Sequence, residues 1–163
     1  MEAMRNVSAV IMDKTGTLTK GNFVLQKAVP FDGLDEHILL SLCASCEITS
    51  THPIGHSIVT AAVEYGITPK HPEKTEEIAG CGIRASLNGE ELLCGNRKLM
   101  KQFHISLNDL PLPELGVEVF AARNGKCIGY LLISDTLKEE TPSAIQKIKE
   151  LGITPAMLTG DAE

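Results

Sequence analysis

The stretch Asp13-Lys14-Thr15-Gly16-Thr17-Leu18-Thr19 (DKTGTLT) follows directly on an apolar run, Val7 to Met12 (VSAVIM). The run is short and partly β-branched, and it reads as a buried parallel strand. Asp13 then stands at the C-terminal end of that strand, where open α/β sheets place their active sites. A lone aspartate after a strand is most simply a turn or capping residue. Here Thr15, Thr17 and Thr19 bring hydroxyls, and Gly16 brings a flexible backbone. Hydroxyls and turn N–H groups hold phosphate oxygens. A carboxylate among them can attack a phosphoryl group and form an aspartyl-phosphate, with Mg²⁺ offsetting the charge of the two anions.

Outward from this stretch the chain changes character twice. Asn22 to Val29 reads as a strand closed by Pro30, and Leu34 to Ile48 has helical apolar spacing with Asp35 at its start. His52-Pro53 breaks the run, and Pro53 suits the first turn of a further helix that stops at Gly66. Two hairpins are signalled by Asn88-Gly89 and Asn124-Gly125, with a short helix after Asn96 and an LPLPEL loop between them. The tail DTLKEETPSAIQKIKELGI reads as an amphipathic helix ending at Gly152, and TPAMLTGD as a strand and glycine turn. Strand, crossover and strand at the two ends of the chain, with hairpins and helices between, predict an α/β domain interrupted by an α+β insertion.

Bulk composition narrows the function. The 163 residues are 43% hydrophobic with 4% aromatics and no Trp, so the core rests on Leu, Ile, Val and Ala. A net charge of −6 with no Lys/Arg block argues against nucleic-acid binding. No apolar run reaches the roughly 20 residues of a membrane span, and the chain as given is expected to be soluble. Five cysteines without framework spacing suit a reducing cytoplasm. The opening MEAMRNV reads like the interior of a longer protein.

DKTGTLT resembles the phosphorylation signature of P-type ATPases, ion pumps of the haloacid-dehalogenase superfamily. Phosphatases of that superfamily carry a second Asp two positions after the nucleophile, as general acid/base. Thr15 stands there in this chain, which favours a persistent phosphoenzyme and a pump. No GxxxxGK[ST] loop is present, so ATP needs another site. CEITSTHPIGHSIV resembles the "E…SEHP" region of the heavy-metal P1B subfamily, with Thr51 in place of its second Glu. AGCGI resembles that subfamily's GxG turn, LLCGNRKLM a second nucleotide-contacting turn, and MLTGD the superfamily's second phosphate motif.

The resemblance implies a partial haloacid-dehalogenase-like, Rossmann-type phosphorylation domain at 1–21 and 134–163. It is interrupted at 22–133 by a nucleotide-binding domain with an antiparallel sheet flanked by helices. It implies Asp13 as phosphoacceptor, with Lys14, Thr15, Thr17, Thr159, Gly160 and Asp161 around the phosphate and Asp13 and Thr15 as Mg²⁺ positions. ATP falls to Glu47, His52, Gly80, Gly82, Gly95 and Asn96. DTLK (Asp135 to Lys138) is implied as the hinge into the phosphorylation domain. The implied partners are the remaining pump domains (membrane helices, actuator domain and the rest of the phosphorylation domain) and a transported heavy-metal ion. The parent would lie in the cell membrane. TLTKGNF is closer to zinc/cadmium-type members than to copper-type ones.

Read for themselves, several of these residues have plainer uses. His52 before a proline and Asn96 before a helix are both caps, and each GxG can be only a turn. Cys43 and Cys46 form a lone CxxC inside an apolar helical run, which favours packing over a zinc site. The competing functions are a stand-alone phosphatase of the same superfamily and a non-catalytic nucleotide- or metal-binding module.

Overall fold

The computed structural model describes residues 7–107 and 116–158. The chain divides into two compact units, Met1–Asn22 with Asp135–Glu163, and Phe23–Ser134. In the first unit, β1 (Ala9–Asp13) leads into a tight turn at Lys14–Leu18. Its parallel partner is β8 (Thr154–Leu158), in a register that sets Ala9 opposite Thr154 and Asp13 opposite Leu158. The crossover between them includes α4 (Thr141–Glu150), which has Pro142 in its first turn and stops at Gly152 with φ +74°. These are the strand, crossover and strand expected at the two ends of the chain.

Two expectations for this unit are corrected. VSAVIM is a parallel strand but not a buried one, since Ile11 is 65% exposed and Met157 and Leu158 beside it are 53% and 61% exposed. A parallel strand is buried only when helices cover both faces of its sheet, and among the described residues β1 pairs with β8 alone. The terminal helix does not begin at Asp135. Residues Asp135 to Leu137 continue strand β7 (Lys126–Leu137), so Asp135 is no helix cap and has a different use, described below.

The second unit is built on a six-stranded sheet in the order β2-β7-β6-β5-β4-β3. Its strands are β2 (Thr19–Pro30), β3 (Lys74–Ile78), β4 (Gly82–Leu87), β5 (Glu90–Gly95), β6 (Val117–Arg123) and β7, of which β2 and β7 run on into the first unit. The pairings from β3 through β7 are antiparallel. Asn88-Gly89 and Asn124-Gly125 close the β4–β5 and β6–β7 hairpins with positive φ at both residues, as two-residue hairpin loops require.

Both faces of the sheet are covered. Helices α1 (Glu36–Glu47) and α2 (Pro53–Glu64) lie on one, and the short α3 (Arg97–Gln102) on the other. The alternation of a strand distributes the side chains. Leu92, Cys94, Val119 and Ala121 join Leu39, Cys43 and Ile58 on the α1–α2 side. Leu93, Phe120 and Ala122 join Leu99 and Met100 on the α3 side. Asp35 caps α1 by accepting from the His37 and Ile38 amides at 2.9 and 3.3 Å, and Pro53 opens α2. The result is an antiparallel sheet flanked by helices, within a mixed α/β chain. No helix among the described residues is long and apolar enough to cross a membrane.

Candidate functional site

Three sequence stretches converge on one open cleft in the second unit, with a volume of about 250 Å³. Glu47 comes from the end of α1 and His52 from the start of α2. Gly80 and Gly82 come from the β3–β4 turn, and Gly95 and Asn96 from the junction of β5 with α3. All six expected nucleotide residues therefore line the same depression. Ser50 and Gly55, inside the CEITSTHPIGHSIV stretch but given no role there, line it as well, with Glu77 and Glu118 from outside any quoted motif.

Local structure explains most of these positions before any ligand is considered. His52 caps α2, its Nδ1 accepting from the Ile54 amide at 3.2 Å. That use of Nδ1 leaves Nε2 as the donor of the neutral ring. Asn96 caps α3, its side-chain oxygen accepting from the Lys98 and Leu99 amides at 3.0 and 3.1 Å. The other end of the same amide donates to the Gly80 carbonyl at 2.9 Å, tying the GxG turn to the helix start. Both caps line the cleft.

Gly82 and Gly95 are required by each other. A Cβ on Gly82 would lie 2.3 Å from the Cys94 carbonyl, and one on Gly95 would lie 2.3 Å from the Cys81 carbonyl and 2.8 Å from the Gly82 Cα. From sequence, these glycines are expected to allow close approach of a ligand. The structure gives them an internal reason: the β4 and β5 backbones touch at the floor of the cleft. Gly55 is a third such position, because a Cβ there would fall 2.5 Å from Glu47 Oε2 and 2.6 Å from Ser50 Oγ.

Glu47 is the most unusual group in the cleft. It is only 8% exposed. Burial pushes its carboxyl above the ordinary 4.5, the Ser50 hydroxyl, His52 and the Cys94 thiol hold it partly down, and Glu77 adds to the rise. The Glu118 side chain is also largely buried, but Arg97 clamps it through two bonds, Nε to Oε2 at 2.8 Å and Nη2 to Oε1 at 3.0 Å. Because the folded chain holds the Glu47 proton more tightly than the unfolded chain does, the stability that Glu47 contributes is full below about pH 4.5 and is lost as pH rises through its raised folded value. Glu47→Gln is expected to flatten that fall, as read by denaturant melts at stepped pH. An unchanged pH slope in the variant would mean that Glu47 is not the group responsible.

The remaining candidates are placed differently. Asp13 lies exposed at the end of β1, with Thr15 extended (φ −78°, ψ 122°) and Gly16 at φ +80° after it. Thr159, Gly160 and Asp161 lie outside the described residues. Cys43 and Cys46 are 1% and 2% exposed within the α1–α2 core, and burial drives the Cys46 thiol far up, so both pack as small apolar groups. No group of His, Cys, Asp or Glu among the described residues is arranged to hold a metal ion by itself. A larger cleft of about 510 Å³ at Phe31 and Leu107 has only Asp32 and Lys126 as charged lining among the described residues, and they pair with each other at 2.6 Å.

With this geometry in place, comparison with known proteins is specific. The haloacid dehalogenase-like hydrolase family model matches residues 7–163. A probable copper-exporting P-type ATPase of Archaeoglobus fulgidus is 44% identical over 99% of this chain. A cadmium, zinc and cobalt-transporting ATPase of Bacillus subtilis is 40% identical over 100% of it. The chain spans 20% and 23% of the length of these two relatives. Among solved structures, a zinc-transporting PIB-type ATPase in the E2.Pi state aligns with a TM-score of 0.74 at 30% identity, over 96% of this chain and 26% of that one. The catalytic domain of the CPx-ATPase CopB-B, described for its conformational changes upon nucleotide binding, aligns with a TM-score of 0.75 at 26% identity, over 99% of this chain and 57% of that one. Matched by the family model along nearly its whole length, the chain belongs to the haloacid dehalogenase-like hydrolase family, in the branch where its relatives are metal-transporting P-type ATPases.

Proposed function

We propose that this chain is the ATP-binding and phosphorylating part of a heavy-metal-translocating P-type ATPase of the cell membrane. Phe23–Ser134 is the nucleotide-binding domain, and Met1–Asn22 with Asp135–Glu163 is part of the phosphorylation domain. The observation that carries this reading is the convergence of Glu47, His52, Gly80, Gly82, Gly95 and Asn96 on one cleft. ATP is held there by its base end, with Glu47 as a buried acceptor or donor and His52 Nε2 as a donor at the rim.

In the whole protein an Asp13 carboxylate oxygen attacks the γ-phosphorus. The new bond is from that oxygen to phosphorus. The bond from phosphorus to the β–γ bridging oxygen breaks, and ADP leaves with its electron pair. Thr15, where a phosphatase would carry its acid/base, offers no carboxylate, so the aspartyl-phosphate persists long enough to drive metal export. Asp13 and Thr15 are the residues that would hold Mg²⁺, a hard cation suited to the oxygen donors they offer. When bound there it would offset negative charge on the phosphoryl oxygens. The cargo is assigned to the zinc/cadmium class on TLTKGNF.

An ATP titration of this chain watched by amide shifts tests the first half of the reading. Shifts are expected at Glu47, His52, Gly80 to Gly82 and Asn96. His52→Ala is expected to weaken binding about tenfold, or ~1.4 kcal/mol, and Asp13→Asn to leave it unchanged. Binding that ignores His52→Ala would place ATP elsewhere. If ATP moves nothing while Zn²⁺ perturbs Cys43 and Cys46, the metal-binding module is the correct reading.

A further inference from the structure

The turn that follows Asp13 is held at a single residue from two sides. The Gly16 N–H donates to Thr19 Oγ1 at 3.1 Å. The Thr19 hydroxyl in turn reaches the Asp135 carboxylate through Oδ2, with the Lys14 carbonyl at 3.0 Å as its other acceptor. A hydroxyl has one proton, and a carboxylate is the stronger acceptor. The polarity therefore runs from Gly16 N–H through Thr19 Oγ–H to Asp135. On the other side of the same residue, Lys138 Nζ donates to the Gly16 carbonyl at 2.7 Å. The Lys138 amide and the Thr141 hydroxyl both donate to the Leu18 carbonyl, at 3.1 and 2.6 Å.

We propose that Asp135 and Lys138 are positioning residues that fix the phosphoacceptor turn by holding the N–H and C=O of Gly16, Asp135 acting through Thr19. The proposal rests on Asp13 as acceptor, and it gives DTLK a task beyond joining two units. Gly16 is the residue that needs holding. It sits at φ +80°, a conformation open to few other residues and one of several a glycine visits freely. Thr15 and Thr17, whose hydroxyls and amides face the transferred phosphoryl group in this reading, flank it directly. The Asp135 Oδ1 is buried without a hydrogen-bond partner among the described residues. That oxygen stays idle while the other grips Thr19.

The test reads the turn itself, by ¹⁵N relaxation on this chain. Gly16 is expected to show an order parameter of about 0.85 in the wild type and below about 0.6 in Asp135→Ala and in Thr19→Val. Thr19→Ser, which keeps the hydroxyl, is expected to stay rigid, and Asp135→Asn to fall between. Lys138→Met is expected to move the Thr17 amide nitrogen, whose peptide carries the Gly16 carbonyl. A Gly16 that stays rigid in Asp135→Ala, with the β1 and β8 amides in place, overturns the proposal. So does a mobile Gly16 in the wild type. Should Asp135→Ala also lose the β1–β8 amides, the contrast of Thr19→Val with Thr19→Ser decides, since both keep the carboxylate. In the longer protein, Asp135→Ala is expected to slow phosphoenzyme formation about tenfold through loss of orientation. Phosphoenzyme that survives Asp13→Asn would sink the acceptor reading alone and leave the order-parameter result standing.

Discussion

Gly82→Ala is expected to destabilise the second unit by at least about 3 kcal/mol. Two independent effects add. Gly82 sits at φ +142°, where a side chain is strained whatever the space around it. Its new methyl would meet the Cys94 carbonyl at 2.3 Å and the Gly95 Cα at 2.5 Å, both backbone atoms of a paired strand. A side chain could turn aside, but a strand inside a six-stranded sheet cannot move without breaking its own ladder. Urea unfolding followed by far-UV circular dichroism measures the loss. A midpoint within the error of wild type would show that β4 and β5 separate more readily at Gly95 than their register implies. The same substitution at Gly80 is the control, because a Cβ there meets nothing within 4 Å and only its φ of +69° resists.

With Asp13 as the proposed phosphoacceptor, Asp13→Asn is expected to abolish any acid-stable phosphoenzyme that the longer protein forms. An amide has no anionic oxygen to attack phosphorus, so the step loses its nucleophile and not merely some stabilisation. ATP binding should survive, since none of the cleft residues belongs to the turn. Labelled ATP, acid quench and gel autoradiography give the result directly. Phosphoenzyme is expected to respond to Zn²⁺ or Cd²⁺ and not to Cu⁺. Label that persists in Asp13→Asn would move the acceptor to another residue. Label driven by Cu⁺ instead would reverse the cargo assignment and leave the chemistry intact.

Much of the fold was legible where a residue's local physics and its tertiary role coincide. Asp35, Pro53, Asn88-Gly89 and Asn124-Gly125 mark element ends because capping groups and positive φ act over a few residues. The exposure of VSAVIM was not legible. Apolar periodicity reports what a strand prefers and not how many layers cover it. The reach of β7 through Asp135 was missed for a related reason: an acid ahead of a proline-marked helical run looks like a helix start, and only pairing could show otherwise.

In the cleft, the readable residues were those with a motif around them. Ser50 and Gly55 lay inside the CEITSTHPIGHSIV stretch without being picked out in it, and Glu118 had no such company. Gly55 still carried a signal, for a glycine inside a helix costs about 1 kcal/mol against alanine and asks for a reason. The reason is the Glu47 carboxylate 2.5 Å from where its Cβ would be. Glu118 stood out as an acid between two valines in an apolar strand, and the Arg97 that neutralises it is adjacent to Asn96 in sequence.

Each unit owes its internal cohesion to a different force. The contiguous apolar clusters lie in Phe23–Ser134, whereas the first unit's buried residues, among those described, are Leu18, Thr19 and Thr141. Apolar burial carries a large heat-capacity change on unfolding, and hydrogen-bonded turns carry little. The chain is thus a thermodynamically uneven object. Its calorimetric transition is therefore expected to report mainly on the apolar core of the sheet domain, while loss of the hydrogen bonds around the Asp13 turn is expected to contribute little heat-capacity change of its own.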